Sequence, residues 1–337
     1  MSKFNLVLPF GRTGLVVALV LTACTSKNGS EGDGTGGSNS YVSSGTGGLI
    51  SYQPGSGGDS SSAGSSTVGN SVTAWPPSAD YTNVTNVTFG AYALGPDISN
   101  GSVPVSTATT CAGLLFGTVR DFKMGNKTDG HPDFETAPSS TKQGGVKGIV
   151  ESTLGSDDKP VYANPTDPLA GTSGQANFDQ WYRDTPSVNL SYLVALKLTT
   201  ANGISTFSAS KDNGNGLKDS SFFPLDDAGF GNQDEDHNFS FTTEIHTSFV
   251  YQGGETFTFV GDDDVWVFIN KQLLIDLGGR HSQLTGSVQL DSLNLTAGQT
   301  YALDVFNAER HTSESNFRID TTLALADCGQ VNGVIIN

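Results

Sequence analysis

The run Gly261-Asp262-Asp263-Asp264-Val265-Trp266-Val267-Phe268-Ile269-Asn270 is where the sequence most plainly gathers groups that could do chemistry. Three adjacent carboxylates ahead of an apolar strand repel one another unless a cation or solvent compensates. In extended backbone, neighbouring side chains point to opposite faces. Asp262 and Asp263 therefore share an ion only if a turn or a cis peptide swings both to one side. Calcium is the natural compensator, a hard cation that accepts about six to eight oxygens in flexible geometry. The alternative is a solvated acidic turn. Asp276, in IDLGGRH, is either a partner of this site or the cap of a turn before Gly278-Gly279. His281, Arg310 and His311 could line a binding surface, or Arg310 could pair with an internal carboxylate. The five His lack the close spacing of zinc sites. Asp212-Asn213-Gly214-Asn215-Gly216 opens like a calcium loop, yet its third position is Gly and no Glu stands at the twelfth, so it reads as a turn. Trp181 and Trp266 read as core rather than sugar platforms.

The elements that must position these groups are short strands. Val87 to Tyr92, Leu190 to Leu198, Ile204 to Ser208, Phe239 to Phe241 and Thr256 to Val260 are rich in β-branched or aromatic residues. So are Val265 to Ile269, Val288 to Leu290, Tyr301 to Phe306 and Phe317 to Leu325. Gly, Asn and Asp clusters separate them at the close spacing of a β-sandwich or barrel. Val265 to Ile269 is apolar on both faces, which predicts a central strand covered on each side. One helix is expected at Gln175 to Arg183, with Phe178, Trp181 and Tyr182 at i, i+3 and i+4. The fold class is all-β, an antiparallel sandwich with minor short helices.

Composition sets bounds on function. The 337 residues carry 17 Lys+Arg against 34 Asp+Glu, a net charge of −17, with 26 Asp, 8 Glu and 42 Gly. A nucleic-acid partner is not expected, because the phosphate backbone calls for clustered Lys and Arg. A long-helical or coiled-coil protein is not expected, because Glu, Lys, Leu and Ala are not abundant enough. Residues 1–23 read as a targeting segment, with Lys3 and Arg12 ahead of the apolar stretch Thr13 to Ala23. Leu21-Thr22-Ala23-Cys24 resembles a bacterial lipobox, which implies cleavage before Cys24 and a diacylglycerol-bearing, N-acylated cysteine as the anchor. The alternative is an ordinary signal peptide with an incidental Cys. Thr25 is not the aspartate that retains such proteins at the inner membrane, so the expected location is the outer membrane or cell surface. Residues 24–74 form a Gly/Ser-rich tether with an r.m.s. reach of roughly 40 Å. The domain runs over 75–337. With Cys24 set aside, Cys111 and Cys328 remain as an even pair in an exported chain, either bridged or free, and a bridge would tie the first strand to the last.

The segments GDDDVWVFINKQLLIDLGGRHS and QLDSLNLTAGQTYALDVFNAERHTSESNFRIDTTL resemble the fibro-slime domain family. FGTVRDF, HPDFE, DDKPVY, FDQWYRD with Val188-Asn189, FFPLDDAGFG and HNFSFTTEI fit it in consistent order, over roughly Leu114 to Leu325. The family occurs in bacterial surface proteins and slime-mould secreted proteins. It is related to the β-sandwich domain of anthrax protective antigen and of yeast adhesins. The resemblance implies a calcium held by two adjacent aspartates and touching sugar hydroxyls. These fall on Asp262 and Asp263, with Asn307 as third ligand and Glu309 or Asn316 as substitutes. Asp264 stands where the protective-antigen branch commonly has glycine. The loop Asn307 to Asn316 is longer than its adhesin counterpart.

The expected function is an exported, membrane-anchored adhesion protein binding a glycan or extracellular polysaccharide through Ca2+. The alternative is a structural surface or slime-matrix protein in which calcium stabilises the fold. A glycoside hydrolase, with two carboxylates about 5 to 9.5 Å apart, comes third; no nucleophile elbow, phosphate loop or metalloprotease helix is present.

Overall fold

Along Thr256–Gly261 every second residue is buried, with Phe257, Phe259 and Gly261 inward. The same period-two alternation recurs along Leu284–Gln289 and Phe317–Thr321. The computed structural model describes residues 91–103, 111, 113–135, 145–209, 211–212, 218–219 and 222–336. The leader 1–23, Cys24, the tether 24–74, most of the strand expected at Val87 to Tyr92 and the centre of the turn at 212–216 lie outside the described residues.

In chain order the strands are β1 (Tyr92–Asp97), β2 (Leu114–Phe122), β3 (Asn189–Lys197), β4 (Thr199–Ala201), β5 (Ile204–Ser208), β6 (Lys211–Asp212) and β7 (Lys218–Asp219). They continue with β8 (Phe241–Val250), β9 (Thr256–Gly261), β10 (Asp264–Ile269), β11 (Gln272–Leu277) and β12 (Leu284–Gln289). The last are β13 (Thr300–Glu309), β14 (Phe317–Thr321), β15 (Ala324–Leu325), β16 (Gln330–Val331) and β17 (Val334–Ile335). The larger sheet runs β1-β3-β2-β8-β13-β10-β11, with β15 and β16 also pairing with β8. The smaller runs β12-β9-β14-β5-β4, and β6 pairs with β7 alone. Every strand pairing described is antiparallel.

The fold is the expected all-β sandwich. Val119, Ile245, Val265, Val267 and Val305 of the larger sheet pack on Phe207, Phe257, Phe259, Phe317 and Ile319 of the smaller. Burying each such side chain contributes about 1.5–3 kcal/mol. The larger sheet is also covered on its outer face. There Trp266, Phe268 and Phe306 meet Phe134, Ile149, Phe178, Trp181 and Tyr182 from the long connection between β2 and β3. This explains the two apolar faces of β10. Farther along that face, Phe116 and Leu193 meet Val331 and Ile336.

Three expectations change. The helix shortens to α1, Gln175–Phe178. Trp181 is held instead by its own polar contacts: Nε1 donates to Asp133 Oδ2 at 3.0 Å, and its carbonyl accepts from Thr242 Oγ1 at 2.6 Å. The strand expected at Val288 to Leu290 lies earlier, at β12, and Leu290–Leu293 forms a 3-10 turn. Cys111 and Cys328 are joined by a disulfide, but it ties the approach to β2, not β1, to the C-terminal hairpin.

Candidate functional site

The chain passes from the smaller sheet to the larger in two residues. β9 ends at Gly261 and β10 starts at Asp264, so Asp262 and Asp263 form the corner. Asp263 has φ 25°, a positive value rare for a residue with a side chain, and this bends the backbone there. Asp264 lies opposite Ala308, and Gly261 opposite Phe317, which brings the loop from Arg310 to Asn316 beside the corner. Gly261 is required by that approach: a Cβ there would stand 2.5 Å from the Phe259 ring and 2.7 Å from Asn316 O. The turn between β11 and β12 closes the third side.

Each of the three aspartates has a different fate. Asp262 accepts from Asn316 N at 2.5 Å on Oδ1 and from Asn316 Nδ2 at 2.6 Å on Oδ2. Asp263 accepts from His281 N at 3.3 Å and Arg310 N at 3.0 Å. Asp264 accepts from Gly279 N and from the Arg310 guanidinium, both at 2.5 Å. Arg310 is 0% exposed. Its Nη1 donates to Gly171 O and Asp133 O, its Nη2 to Ala170 O, and its guanidinium lies 4.6 Å from the Trp181 ring centre. Arg310 is therefore an internal counter-ion rather than a surface ligand group, and Asp264 already has its cation.

That leaves a buried acidic cluster with less compensation. Burial pushes Asp262 up to about 6, against the hydrogen bonds from Asn316. Burial also raises Asp263 well above the carboxylate range, opposed by Arg310 and reinforced by Asp264 and Asp262. Glu309 is raised for the same first reason, with Asp263 and Asp262 adding repulsion. Asn307 Nδ2 donates to the carbonyls of Asp262 and Asp264, which makes Oδ1 the atom it could offer to a cation. Asn316 Oδ1 is buried without a hydrogen-bond partner. Such an oxygen beside three acids suits a hard cation. The side chains are not a finished cage: among the described residues no group of three or more His, Cys, Asp or Glu has metal-holding geometry. A cation placed here would draw on amide oxygens as well, as calcium sites do.

Above the corner lies a pocket of about 70 Å3, lined by Asp262, Asp263, His281, Ser282, His311, Ser313 and Glu314. His311 Nε2 is buried and unpartnered. The two ring nitrogens of His281 face Ser282 O and Leu277 O, so that ring is engaged internally. Asp276 stands apart from the cluster, accepting from Gly148 N at 2.9 Å and Trp266 Nε1 at 3.1 Å. Trp181 and Trp266 are both fully buried, in core positions. Sequence reasoning missed Arg280, buried beneath the site where it feels Arg310, Asp263 and Asp264. Its only signal was a cation between a Gly-Gly turn and His281.

A PA14 domain model matches residues 225–335, a span that includes all three acids. Protein psiR of Dictyostelium discoideum is 42% identical over 223 residues, covering 62% of this chain and 22% of psiR. Protein psiC of the same organism is 40% identical over 219 residues, covering 58% of this chain and 39% of psiC. The chain thus spans about a fifth to two fifths of the length of these relatives. Among solved structures, a PA14 sugar-binding domain from an RTX adhesin aligns at TM-score 0.27 and 10% identity, over 62% of this chain and 90% of that one. A β-glucosidase from Kluyveromyces marxianus in complex with glucose aligns at TM-score 0.23 and 14% identity, over 36% of this chain and 16% of that one.

Proposed function

We propose that the chain is a non-enzymatic adhesion protein of the fibro-slime type, which binds a glycan through calcium held at the β9–β10 corner. The observation that carries this reading is the convergence of Asp262, Asp263 and Glu309 with the unpartnered Asn316 Oδ1. The PA14 match spans this corner and the loop facing it. Calcium would be held by these carboxylates with Asn307 or Asn316, and would supply open coordination positions for vicinal sugar hydroxyls. Ser282, Ser313 and Glu314 at the pocket mouth would orient the sugar. In the same reading the lipobox-like Cys24 anchors the domain at the outer membrane or cell surface, on the tether 24–74.

A second reading has its own support. Asp262 and Asp263 are only 3% and 4% exposed, so a cation between them would be largely enclosed. Calcium would then stabilise the fold of a matrix protein without touching a sugar. The test is calcium titration with thermal melting, then glycan-array binding with and without EGTA, on wild type and Asp263→Ala. Calcium at about 100 times its Kd should add about 2.7 kcal/mol of stability to wild type only. Under the adhesion reading, glycan retention disappears in EGTA and in the variant. Calcium-linked stability with EGTA-insensitive glycan retention, or with none, would select the matrix reading. No calcium effect on either quantity would reject both.

A further inference from the structure

The larger sheet carries a second polar recess on its outer face. Its floor is made by Thr118 of β2, Glu244, His246 and Ser248 of β8, and Ala302 and Asp304 of β13. Register places these in rows across the sheet, with Thr118 opposite Glu244, His246 opposite Asp304 and Ser248 opposite Ala302. One wall is Lys159 with the β10–β11 turn at Lys271; the other is Asp327 with the hairpin residues Gln330 and Asn332. The recess measures about 350 Å3. It shares no lining residue with the acidic pocket.

We infer that this recess is a second ligand site, for an uncharged saccharide, and that it works without calcium. The charged groups in it are already engaged within the fold. Arg120 holds Asp184 at 2.8 Å and Glu244 at 2.5 Å. Lys159 also meets Glu244, and the His246 ring lies between Glu244 and Asp304. Lys271 is paired with Asp158, and Asp157 with Arg183. Asp327 takes hydroxyl and amide donors from Thr247 and Ser248. A charged ligand at the centre of the floor would have to break the buried contacts that Arg120 and Lys159 make with Glu244, which is costly when the partner is left behind; the Lys271–Asp158 and Arg183–Asp157 pairs are exposed. A neutral polyol breaks none. It exchanges hydrogen bonds with the unused lone pairs and N–H groups of the same side chains and with Thr118, Gln330 and Asn332.

Size and lining agree with that class. Small-molecule sites occupy roughly 300–1,000 Å3, so this one has room for about one or two hexose rings. The aliphatic stems of Lys159 and Lys271, with the Ala302 methyl, supply apolar surface for sugar C–H faces. The floor is rigid as well as polar: Arg120, Glu244 and Asp304 are buried, and their side chains fix one another. Groups held in place before binding lose little freedom when a ligand arrives.

The test uses the full chain in EGTA, which removes the calcium-dependent reading from the measurement. Saturation-transfer NMR and calorimetry would be run with maltose, cellobiose, lactose, mannobiose and chitobiose, and with digalacturonic acid as a charged comparator. At least one neutral disaccharide should bind. Ala302→Trp, which places an indole over the floor without removing any charge, should weaken it at least tenfold. Gln330→Ala, at an exposed position, should weaken it severalfold in a protein of unchanged circular dichroism. Asp263→Ala should leave it unchanged. The inference is overturned if no neutral sugar binds in EGTA, if only the charged comparator binds, or if Ala302→Trp binds as wild type does.

Discussion

Replacing Arg310 by Met is the sharpest test of how the acidic corner is built. The guanidinium contributes one ion pair to Asp264, hydrogen bonds to Gly171 O, Asp133 O and Ala170 O, and a face-on contact with Trp181. Methionine keeps most of the apolar stem and removes all of these. Asp264 is 0% exposed and would retain the Gly279 N–H and the more distant charge of Arg280. Breaking a buried pair by removing one partner costs about 3–5 kcal/mol. Three carbonyls losing donors and one lost cation–π contact add about 1–2 kcal/mol after relaxation, since such terms do not sum. The expected loss is therefore about 4–7 kcal/mol, or roughly 10–25 °C in Tm for a domain of this size. Urea unfolding of wild type, Arg310→Met, Asp264→Leu and the double variant would measure it. Replacing both partners by apolar groups should recover at least about 2 kcal/mol of the summed single losses. A single-variant cost below about 1 kcal/mol, or strict additivity in the double, would refute the assignment of Arg310 as an internal counter-ion.

Three further outcomes follow from the geometry. Asp121 is fully buried, with Phe230 N at 2.5 Å and Asn238 Nδ2 at 2.9 Å, and burial raises it to about 7. An unfolded aspartate loses its proton near pH 3.9. Between those values the folded chain holds a proton that the unfolded chain has released, so Asp121 removes stability as pH rises through that window, by about 4 kcal/mol in all. Urea melts of wild type and Asp121→Asn between pH 4 and 8 would read this, and a wild type that gains on the variant with rising pH would contradict it. Gly261→Ala should cost about 1–3 kcal/mol and weaken the proposed calcium binding, because the new methyl meets Asn316 O and the Phe259 ring; calorimetry giving wild-type affinity would show that the loop approach is unimportant. Replacing Cys111 and Cys328 by Ser should cost up to about 5 kcal/mol, since the bridge spans a sequence separation of 217 residues. Equal midpoints with and without reductant would place the bridge outside the stability of the fold.

Legibility in the sequence followed the chemistry of each face. Val265 to Ile269 was readable as a doubly covered strand because both of its faces are apolar. The sequence reads β8 only at its first residue, Phe241, although it runs to Val250. Its outer face carries Thr242, Glu244, His246 and Ser248, and the last three floor the charged recess, so the pattern of an apolar strand is broken by the groove it builds. The helix failed for the opposite reason. Phe178, Trp181 and Tyr182 are all buried as their spacing suggested, but the outer sheet face and Asp133 satisfy them without helical backbone. Glu309 ranked low in the sequence because nothing local shows that β13 ends against the β9–β10 corner.

The division of labour among the three aspartates has a simple origin in strand alternation. Asp264 is the first residue of β10 and falls on the same side as Trp266 and Phe268, the face covered by the long connection between β2 and β3. A carboxylate directed there needs a buried partner, and Arg310, stacked on Trp181 beneath the same cover, is that partner. Regular alternation would have sent Asp263 toward the inter-sheet core, among Val265 and Val267. The positive φ at Asp263 turns it instead to the rim, where the backbone N–H groups of His281 and Arg310 meet its two oxygens. Asp262 takes its hydrogen bonds from Asn316 on the facing loop. The three acids are thus split between two environments: Asp264 is neutralised by Arg310, while Asp262 and Asp263 line the corner pocket beside Glu309 with backbone and amide donors in place of a counter-ion. Substitutions at Asp264 and Arg310 therefore report on folding, and substitutions at Asp262 and Asp263 test the proposed ion site.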